Sequence, residues 1–134
     1  MRDTLLAVRN NMKRIFLALV FLASPTISAQ AEVADLYCQG DAWLNSGDPF
    51  NNSMIMSLDT ENGVASVMTF SGMATGRIEA DPQLYTGMLH TANGKSYWMN
   101  LDRFSGKLVL IIYVNDQPTR AEFDGTCKRR ERQF

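Results

Sequence analysis

Hydrophobic and polar residues alternate along most of the chain after position 31, and the clearest alternation lies in residues 95–114. A period of two residues is typical of a strand that buries one face. Ser105 and Gly106 interrupt the pattern, and glycine can take the positive φ that a bulged hairpin turn requires. This stretch therefore predicts a β-hairpin. Its second strand, residues 108–114, is apolar on both faces, which indicates a strand covered on both sides or nearly so.

Similar short segments precede and follow this hairpin. The predicted strands lie in residues 36–44, 54–58, 64–70, 77–80, 83–91, 97–102, 108–114 and 119–127. Turn residues separate them, and Asn62-Gly63 and Asn93-Gly94 suit the type I′ geometry. Short strands joined by hairpin turns indicate an all-β fold, an antiparallel meander of about eight strands, closed as a barrel or folded as a sandwich.

The alternation also predicts which side chains share a face of a strand. In the third segment the shared face carries Val64, Ser66, Met68 and Phe70. In the last segment it carries Thr119, Ala121, Phe123, Gly125 and Cys127. The shared face of the last segment is its apolar face, because a strand with one buried face repeats every second residue.

The two cysteines, Cys38 and Cys127, lie in the first and last predicted strands. In an oxidising compartment an even count in a small domain indicates a disulfide, and two cysteines allow a single pairing. Both lie on the apolar face of their strand, so a bond between them requires the two strands to be neighbours. Such a bond favours closure into a barrel, which removes exposed strand edges.

Residues 1–31 are expected to form a cleavable secretory signal. Lys13-Arg14 precede an apolar run at 15–23, and Ala29-Gln30-Ala31 is the small-x-small pattern of a cleavage site. The run is shorter than the roughly 20 apolar residues that span a bilayer. Met12 begins a signal of ordinary length and is a candidate for the true start of translation. Cleavage leaves a single β domain, residues 32–134, without a membrane span, which is predicted to be periplasmic or secreted.

Charge is unevenly distributed along the mature chain. The formal net charge of the whole sequence is −1 at pH 7. Acidic residues outnumber basic ones up to position 127, whereas residues 128–134 form a basic tail. An acidic body argues against nucleic acid as a partner. The tail is expected to be solubilising, with contact to anionic lipid or an acidic partner as the alternative.

Few residues carry recognisable chemistry. His90 is the single histidine, its alternation places it towards solvent, and a general base needs an oriented partner. No catalytic site is therefore predicted, and the protein is not expected to be an enzyme. Met54 and Met56 share a strand face, which suits Cu(I), but methionine also fills irregular cores. The core role is favoured, so no metal and no cofactor are predicted.

One apolar patch is the candidate binding surface. Trp98 lies on the strand face opposite Met99 and Leu101, and the next strand is apolar on both faces. If one face fills the core, the patch left outside consists of Trp98, Val109, Ile111 and Tyr113. Such patches are typical of partner or ligand sites. The alternative is that the loop at residues 45–52 folds over it. The expected partner is an unknown protein or an apolar ligand, and the oligomeric state stays open.

Three motifs lie at the two ends of the mature chain and in one hairpin. They are Tyr37-Cys38-Gln39-Gly40, the Leu-Asp-Arg-x-Ser-Gly-x-Leu stretch at 101–108, and Gly125-Thr126-Cys127-Lys128 followed by Phe134. In these motifs the chain resembles a group of small exported bacterial proteins of unknown function. The resemblance implies export and an all-β fold, and it brings no activity.

The chain is also similar, more loosely, to the periplasmic inhibitors of C-type lysozyme. Those proteins are small β-barrels with an early Tyr-x-Cys, a disulfide to a late strand and an inhibitory Ser-Gly-x-x-Tyr loop. Ser71-Gly72 and Ser105-Gly106 start such a motif here, but neither is followed by the Tyr. The candidate protruding hairpin consists of Arg103, Phe104, Ser105, Gly106 and Lys107. A non-enzymatic binding module is thus the first prediction, and a lysozyme-inhibitor-like protein the alternative.

Overall fold

The structure is a computed structural model, and it describes residues 33–45 and 47–130. Eight strands form within these residues: β1 (Val33–Ala42), β2 (Phe50–Asp59), β3 (Val64–Thr69), β4 (Gly72–Ala80), β5 (Leu84–His90), β6 (Ser96–Asp102), β7 (Lys107–Val114) and β8 (Gln117–Arg129). Each strand pairs antiparallel with the next one, and β8 pairs with β1, so the sheet closes into a barrel. The predicted eight-stranded meander is confirmed, and closure decides for a barrel over a sandwich.

Several predictions concern other parts of the chain. The signal peptide, the candidate start at Met12 and the end of the basic tail at 131–134 lie outside the described residues. The described residues contain no helix with the length and hydrophobicity that a membrane span requires.

A disulfide joins the first and last strands of the barrel. Cys38 of β1 lies directly opposite Cys127 of β8, with Cα atoms 3.9 Å apart, and the bond links residues 89 positions apart in sequence. The predicted pairing is therefore confirmed. Closing a loop of this length removes unfolded-state entropy worth about 4–5 kcal/mol. A disulfide also suggests a location outside the cytoplasm.

Glycine allows β1 and β8 to approach each other beside this disulfide. Gly40 lies directly opposite Gly125. A Cβ built on Gly40 would overlap with the Cα of Gly125, and one built on Gly125 would overlap with the carbonyl oxygen of Gln39. The close packing that brings the two cysteines together therefore requires residues without a side chain at both positions.

Inward-facing side chains from all eight strands fill the barrel. The largest fully buried apolar ones are Met56, Val67, Leu89, Tyr97, Met99, Leu108, Leu110 and Phe123. The predicted alternation is correct for β2, β5 and β6. In β7, which was predicted to be covered on both sides or nearly so, one face is buried and most of the other is half-buried. His90 is exposed, as that alternation predicts.

The residues that mark the third strand in the sequence, at 64, 66, 68 and 70, lie on the outer face of β3. Ala65, Val67 and Thr69 are buried, whereas Met68 is 50 % exposed and Phe70 lies outside the core. Val67 lies directly opposite the buried Met56 of β2. Directly opposed residues share a face of the sheet, so pairing with β2 determines the inward face of β3.

The predicted face of β8 is correct only for its second half. Phe123 and Cys127 are buried, but Ala121 is half-buried and Thr119 is exposed. The register between β7 and β8 shifts between Leu110 and Ile111 and again between Ile112 and Tyr113. Such bulges change which residues of a strand point inward, and the first shift brings Glu122 into the barrel.

The predicted type I′ turns are also wrong. That turn needs positive φ at both central residues, but Asn62 and Asn93 are not among the described residues with positive φ, whereas Gly63 and Gly94 are. The β2–β3 turn spans four residues and is closed by the Asp59 side chain, which accepts the Asn62 N–H at 3.0 Å. Positive φ at two successive residues occurs between β7 and β8, at Asn115 (51°) and Asp116 (61°).

Candidate functional site

A pocket of about 440 Å³ opens at the end of the barrel where the β6–β7 hairpin lies. We call it the mouth pocket. Leu58 and Leu101 of the buried core line it, together with the half-buried Leu36 and Tyr85. Ligand sites typically measure about 300–1,000 Å³, with mainly apolar walls and a few polar groups. The mouth pocket fits this description in size, and its lining combines apolar side chains with polar ones, among them Thr60, Asp102 and Arg129.

Four of the five residues of the predicted hairpin line this pocket. Arg103, Phe104, Ser105 and Gly106 form one wall, and Phe104 is 82 % exposed at the tip. Lys107 does not line it, and its Nζ lies 3.9 Å from the Asp124 carboxylate. The sequence predicted a protruding hairpin, and the structure adds that the hairpin borders a cavity.

The hairpin turn is held by hydrogen bonds to Asp102 and to β8. The Asp102 carboxylate accepts the N–H of Phe104 at 2.9 Å and of Ser105 at 3.0 Å. Both bonds lower the pKa of Asp102 below its usual value, and the bond from Ser105 has the larger effect. The Cys127 N–H donates to the Gly106 carbonyl at 2.8 Å. The wall of the pocket is therefore fixed to the strand that carries the disulfide.

Arg103 is positioned by Tyr85 of β5 and by the turn between β4 and β5. Its guanidinium carbon lies 4.7 Å from the centroid of the Tyr85 ring. Its Nη1 donates to the carbonyl of Asp81 at 2.6 Å, and its backbone N–H donates to the carbonyl of Gln83 at 2.8 Å. Stacking on an aromatic ring and a hydrogen bond restrict a flexible side chain. Arg103 therefore presents its guanidinium in a defined place at the rim.

The predicted apolar patch lies on the outer face of the barrel. Trp98, Val109, Ile111 and Tyr113 are all half-buried. Trp98 lies directly opposite Ile111 on one side and Met88 on the other. The structure therefore places the four residues on neighbouring positions of β6 and β7. The predicted loop at 45–52 is shorter in the structure, because residues 50–52 belong to β2 and pair with β1. Coverage of the patch by the remaining loop stays a prediction.

His90 contacts a side chain that the sequence analysis did not identify. Its Nδ1 lies 2.8 Å from Ser96 Oγ, on the directly opposed position of β6. Both residues line a pocket of about 540 Å³ beside Tyr113. A Ser–His pair becomes a nucleophile when a third group orients the base. Among the described residues, no hydrogen bond reaches the other ring nitrogen of His90, so the Ser–His pair has no third group that orients the ring.

A buried carboxylate inside the barrel was also missed. Glu122 is 2 % exposed, and its Oε1 accepts the Tyr97 hydroxyl at 3.1 Å and lies 3.5 Å from Lys95 Nζ. Lys95 Nζ also donates to Ser71 Oγ at 3.1 Å. Glu122 Oε2 and one guanidinium nitrogen of Arg120 are buried without a hydrogen-bond partner. No sequence signal indicates this cluster, because the bulge in β8 creates it.

The methionines divide between the core and the surface. Met54, Met56 and Met99 are buried, which fits the predicted packing role. Met68 and Met73 lie directly opposite each other on the outer face and are each about half exposed. Together with Ile55 they line a shallow apolar pocket of about 310 Å³.

Comparison of the chain with models of known families, with curated proteins and with solved structures found no match. The resemblances suggested by its motifs stay predictions, and the function is inferred from the geometry of the barrel alone.

Proposed function

We propose that the protein is a non-enzymatic binding module, periplasmic or secreted, that takes a small, partly apolar ligand into the mouth pocket. The observation that supports this function is the position of the pocket, where buried core residues meet a hairpin wall held by hydrogen bonds. A site held in place before binding loses less conformational entropy when the ligand arrives.

Buried apolar side chains form the floor of the pocket in this proposal. Leu58 and Leu101 are at most 5 % exposed, and Cys127 is 8 % exposed. All three line a space that a ligand of the right size would fill. Filling it would remove apolar surface from water without any change in the barrel. The disulfide and the predicted signal at residues 1–31 support export to an oxidising compartment.

Binding of N-phenyl-1-naphthylamine, a neutral probe that fluoresces in apolar surroundings, tests the proposal. We expect saturable binding to the oxidised protein and its loss in Ala34→Phe, because Ala34 lines the pocket and the larger ring would fill it. Met73→Phe is the matched control, because Met73 lies on the outer face. Circular dichroism of both variants verifies the barrel. Equal binding of the probe by both variants would place it on the outer surface and overturn the proposal.

A lysozyme-inhibitor-like function is the second candidate. The observation that favours it is the exposed tip of the hairpin, where Phe104 is 82 % exposed. Exposed aromatic residues are frequent anchors in protein interfaces. The test is the activity of a C-type lysozyme with micromolar protein. Inhibition that disappears in Phe104→Ala would support this function, and full lysozyme activity in the presence of the wild-type protein would remove it.

A further inference from the structure

We infer that the ligand of the mouth pocket is an amphipathic anion, a single hydrocarbon chain that ends in a carboxylate. This inference rests on the proposed function, because it names the class of ligand for the same pocket. It follows from the apolar floor together with one rim residue, Arg103, whose guanidinium has no salt-bridge partner among the described residues.

The floor fits a hydrocarbon chain. Leu36, Leu58, Leu101 and Tyr85 surround the opening, and none of these side chains donates or accepts a side-chain hydrogen bond there among the described residues. An apolar chain needs no polar partner, whereas a polar group placed on this floor would lose its bonds to water without replacement. The inner part of the ligand is therefore apolar.

The rim fits an anionic head group. Among the described residues Arg103 forms no salt bridge, in contrast to Lys95, which pairs with Glu122, and Lys107, which pairs with Asp124. One hydrogen bond of the Arg103 guanidinium goes to the Asp81 carbonyl, an uncharged group. The remaining N–H groups form a planar fork, whose geometry matches a carboxylate. The guanidinium is thus held at the edge of the pocket without a salt-bridge partner among the described residues. Its charge does reach Asp81, whose pKa is lowered first by the backbone N–H groups of Leu84 and Gln83 and last by Arg103.

The nearest carboxylates accept hydrogen bonds from backbone N–H groups of their own turns. Asp102 accepts the N–H groups of Phe104 and Ser105. Asp81 accepts those of Gln83 and Leu84, at 2.7 and 2.6 Å. Neither carboxylate hydrogen-bonds to Arg103, and turning towards it would break the turns. A carboxylate brought by the ligand would therefore give Arg103 the direct ion pair that the described residues do not provide.

Three ligands with the same chain test the inference on the oxidised protein. Dodecanoate, dodecanol and dodecylammonium carry an anionic, a neutral and a cationic head group, and isothermal titration below their micelle-forming concentrations compares their affinities. We expect dodecanoate to bind at least about tenfold more tightly than dodecanol, a difference typical of one charge-assisted hydrogen bond. Dodecylammonium is expected to bind most weakly, because Arg103 repels it.

Variants of the hairpin assign the preference to a residue. Arg103→Gln is expected to weaken dodecanoate about tenfold and to leave dodecanol unchanged, whereas Arg103→Lys retains the preference in part. Lys107→Gln is the matched control, because it removes a charge from the same hairpin outside the pocket. Thermal unfolding of each variant verifies the fold.

The possible results separate the inference from the proposed function. If dodecanol binds as tightly as dodecanoate, or if Arg103→Gln leaves dodecanoate binding unchanged, the inference is overturned while the pocket remains a ligand site. If the neutral probe and all three chains fail to bind, both are overturned.

Discussion

The carboxylate of Glu122 accepts a hydrogen bond of 3.1 Å from the hydroxyl of Tyr97 inside the barrel. Both residues are almost completely buried, and the second carboxylate oxygen of Glu122 has no partner among the described residues. A buried polar group without its hydrogen bonds costs free energy. The few bonds that Glu122 does form therefore matter more to stability than bonds on the surface.

Tyr97→Phe is expected to lower the free energy of unfolding by about 1–3 kcal/mol. The change removes the hydroxyl and leaves Glu122 Oε1 with Lys95 at 3.5 Å as its remaining partner. Urea unfolding of the oxidised protein measures the difference. Tyr113→Phe is the control, because Tyr113 lies on the outer face and forms no side-chain hydrogen bond among the described residues, so a change within about 0.5 kcal/mol is expected. Equal losses in both variants would contradict a special role for the buried hydroxyl.

Removal of the disulfide is expected to destabilise the barrel strongly. In the double variant Cys38→Ser and Cys127→Ser, the bond no longer links residues 89 positions apart, so the unfolded chain has a higher conformational entropy. A loss of about 3–5 kcal/mol in the free energy of unfolding is expected. Denaturant unfolding with and without reductant measures it. The reductant should destabilise the wild-type protein and leave the double variant unchanged, and a wild-type protein insensitive to reduction would argue against the bond.

Acid is expected to weaken the turns at the mouth of the barrel. Asp59, Asp81 and Asp102 each accept a backbone N–H from their own turn, and each has a pKa below the usual value of an aspartate. For Asp59, the largest cause of the lowered pKa is the hydrogen bond from the Asn62 side chain. For Asp81 and Asp102, it is the hydrogen bond from a backbone N–H, that of Leu84 and that of Ser105 respectively. A pKa that is lower in the folded state contributes stability above the unfolded value and loses it as pH falls through the folded value.

The stabilisation from these turns is therefore complete above the unfolded pKa and decreases under more acidic conditions. Hydrogen exchange of the turn amides from about pH 5 to about pH 2, corrected for the intrinsic rates, measures this loss. A variant with all three residues changed to Asn should show a smaller dependence on pH, because the amide does not titrate. Identical pH profiles for the two proteins would show that the carboxylates do not hold the turns.

Gly40→Ala is expected to prevent the close approach of β1 and β8. The added Cβ would overlap with backbone atoms of Gly125 and Asp124, which cannot rotate away as a side chain can. A loss of about 3 kcal/mol or more in the free energy of unfolding is expected, at the upper end for overpacking. Gly47→Ala is the control, because its nearest neighbour would be the Leu44 carbonyl at 3.5 Å, an ordinary contact. A Gly40 variant as stable as this control would contradict the packing described for the two strands.

Local signals in the sequence specified the number and approximate positions of the strands, and the disulfide. The alternation of residues such as Tyr97, Met99 and Leu101 is a local signal, because successive side chains of a strand point to opposite faces. The pairing of Cys38 with Cys127 needed no geometry, since two cysteines allow one bond. The same local signal placed four residues of the 103–107 hairpin together in a turn, and these became the wall of the mouth pocket.

The tertiary structure alone decided closure, the inward face of β3, the burial of Glu122 and the assembly of the pocket. Each depends on register between strands: Val67 faces inward because it opposes Met56, and Glu122 does so because β8 shifts against β7. Arg103 reaches Tyr85 because β5 and β6 are paired. Register is a property of two strands, and a pattern within one strand does not contain it. The mouth pocket is for this reason visible only in the closed barrel.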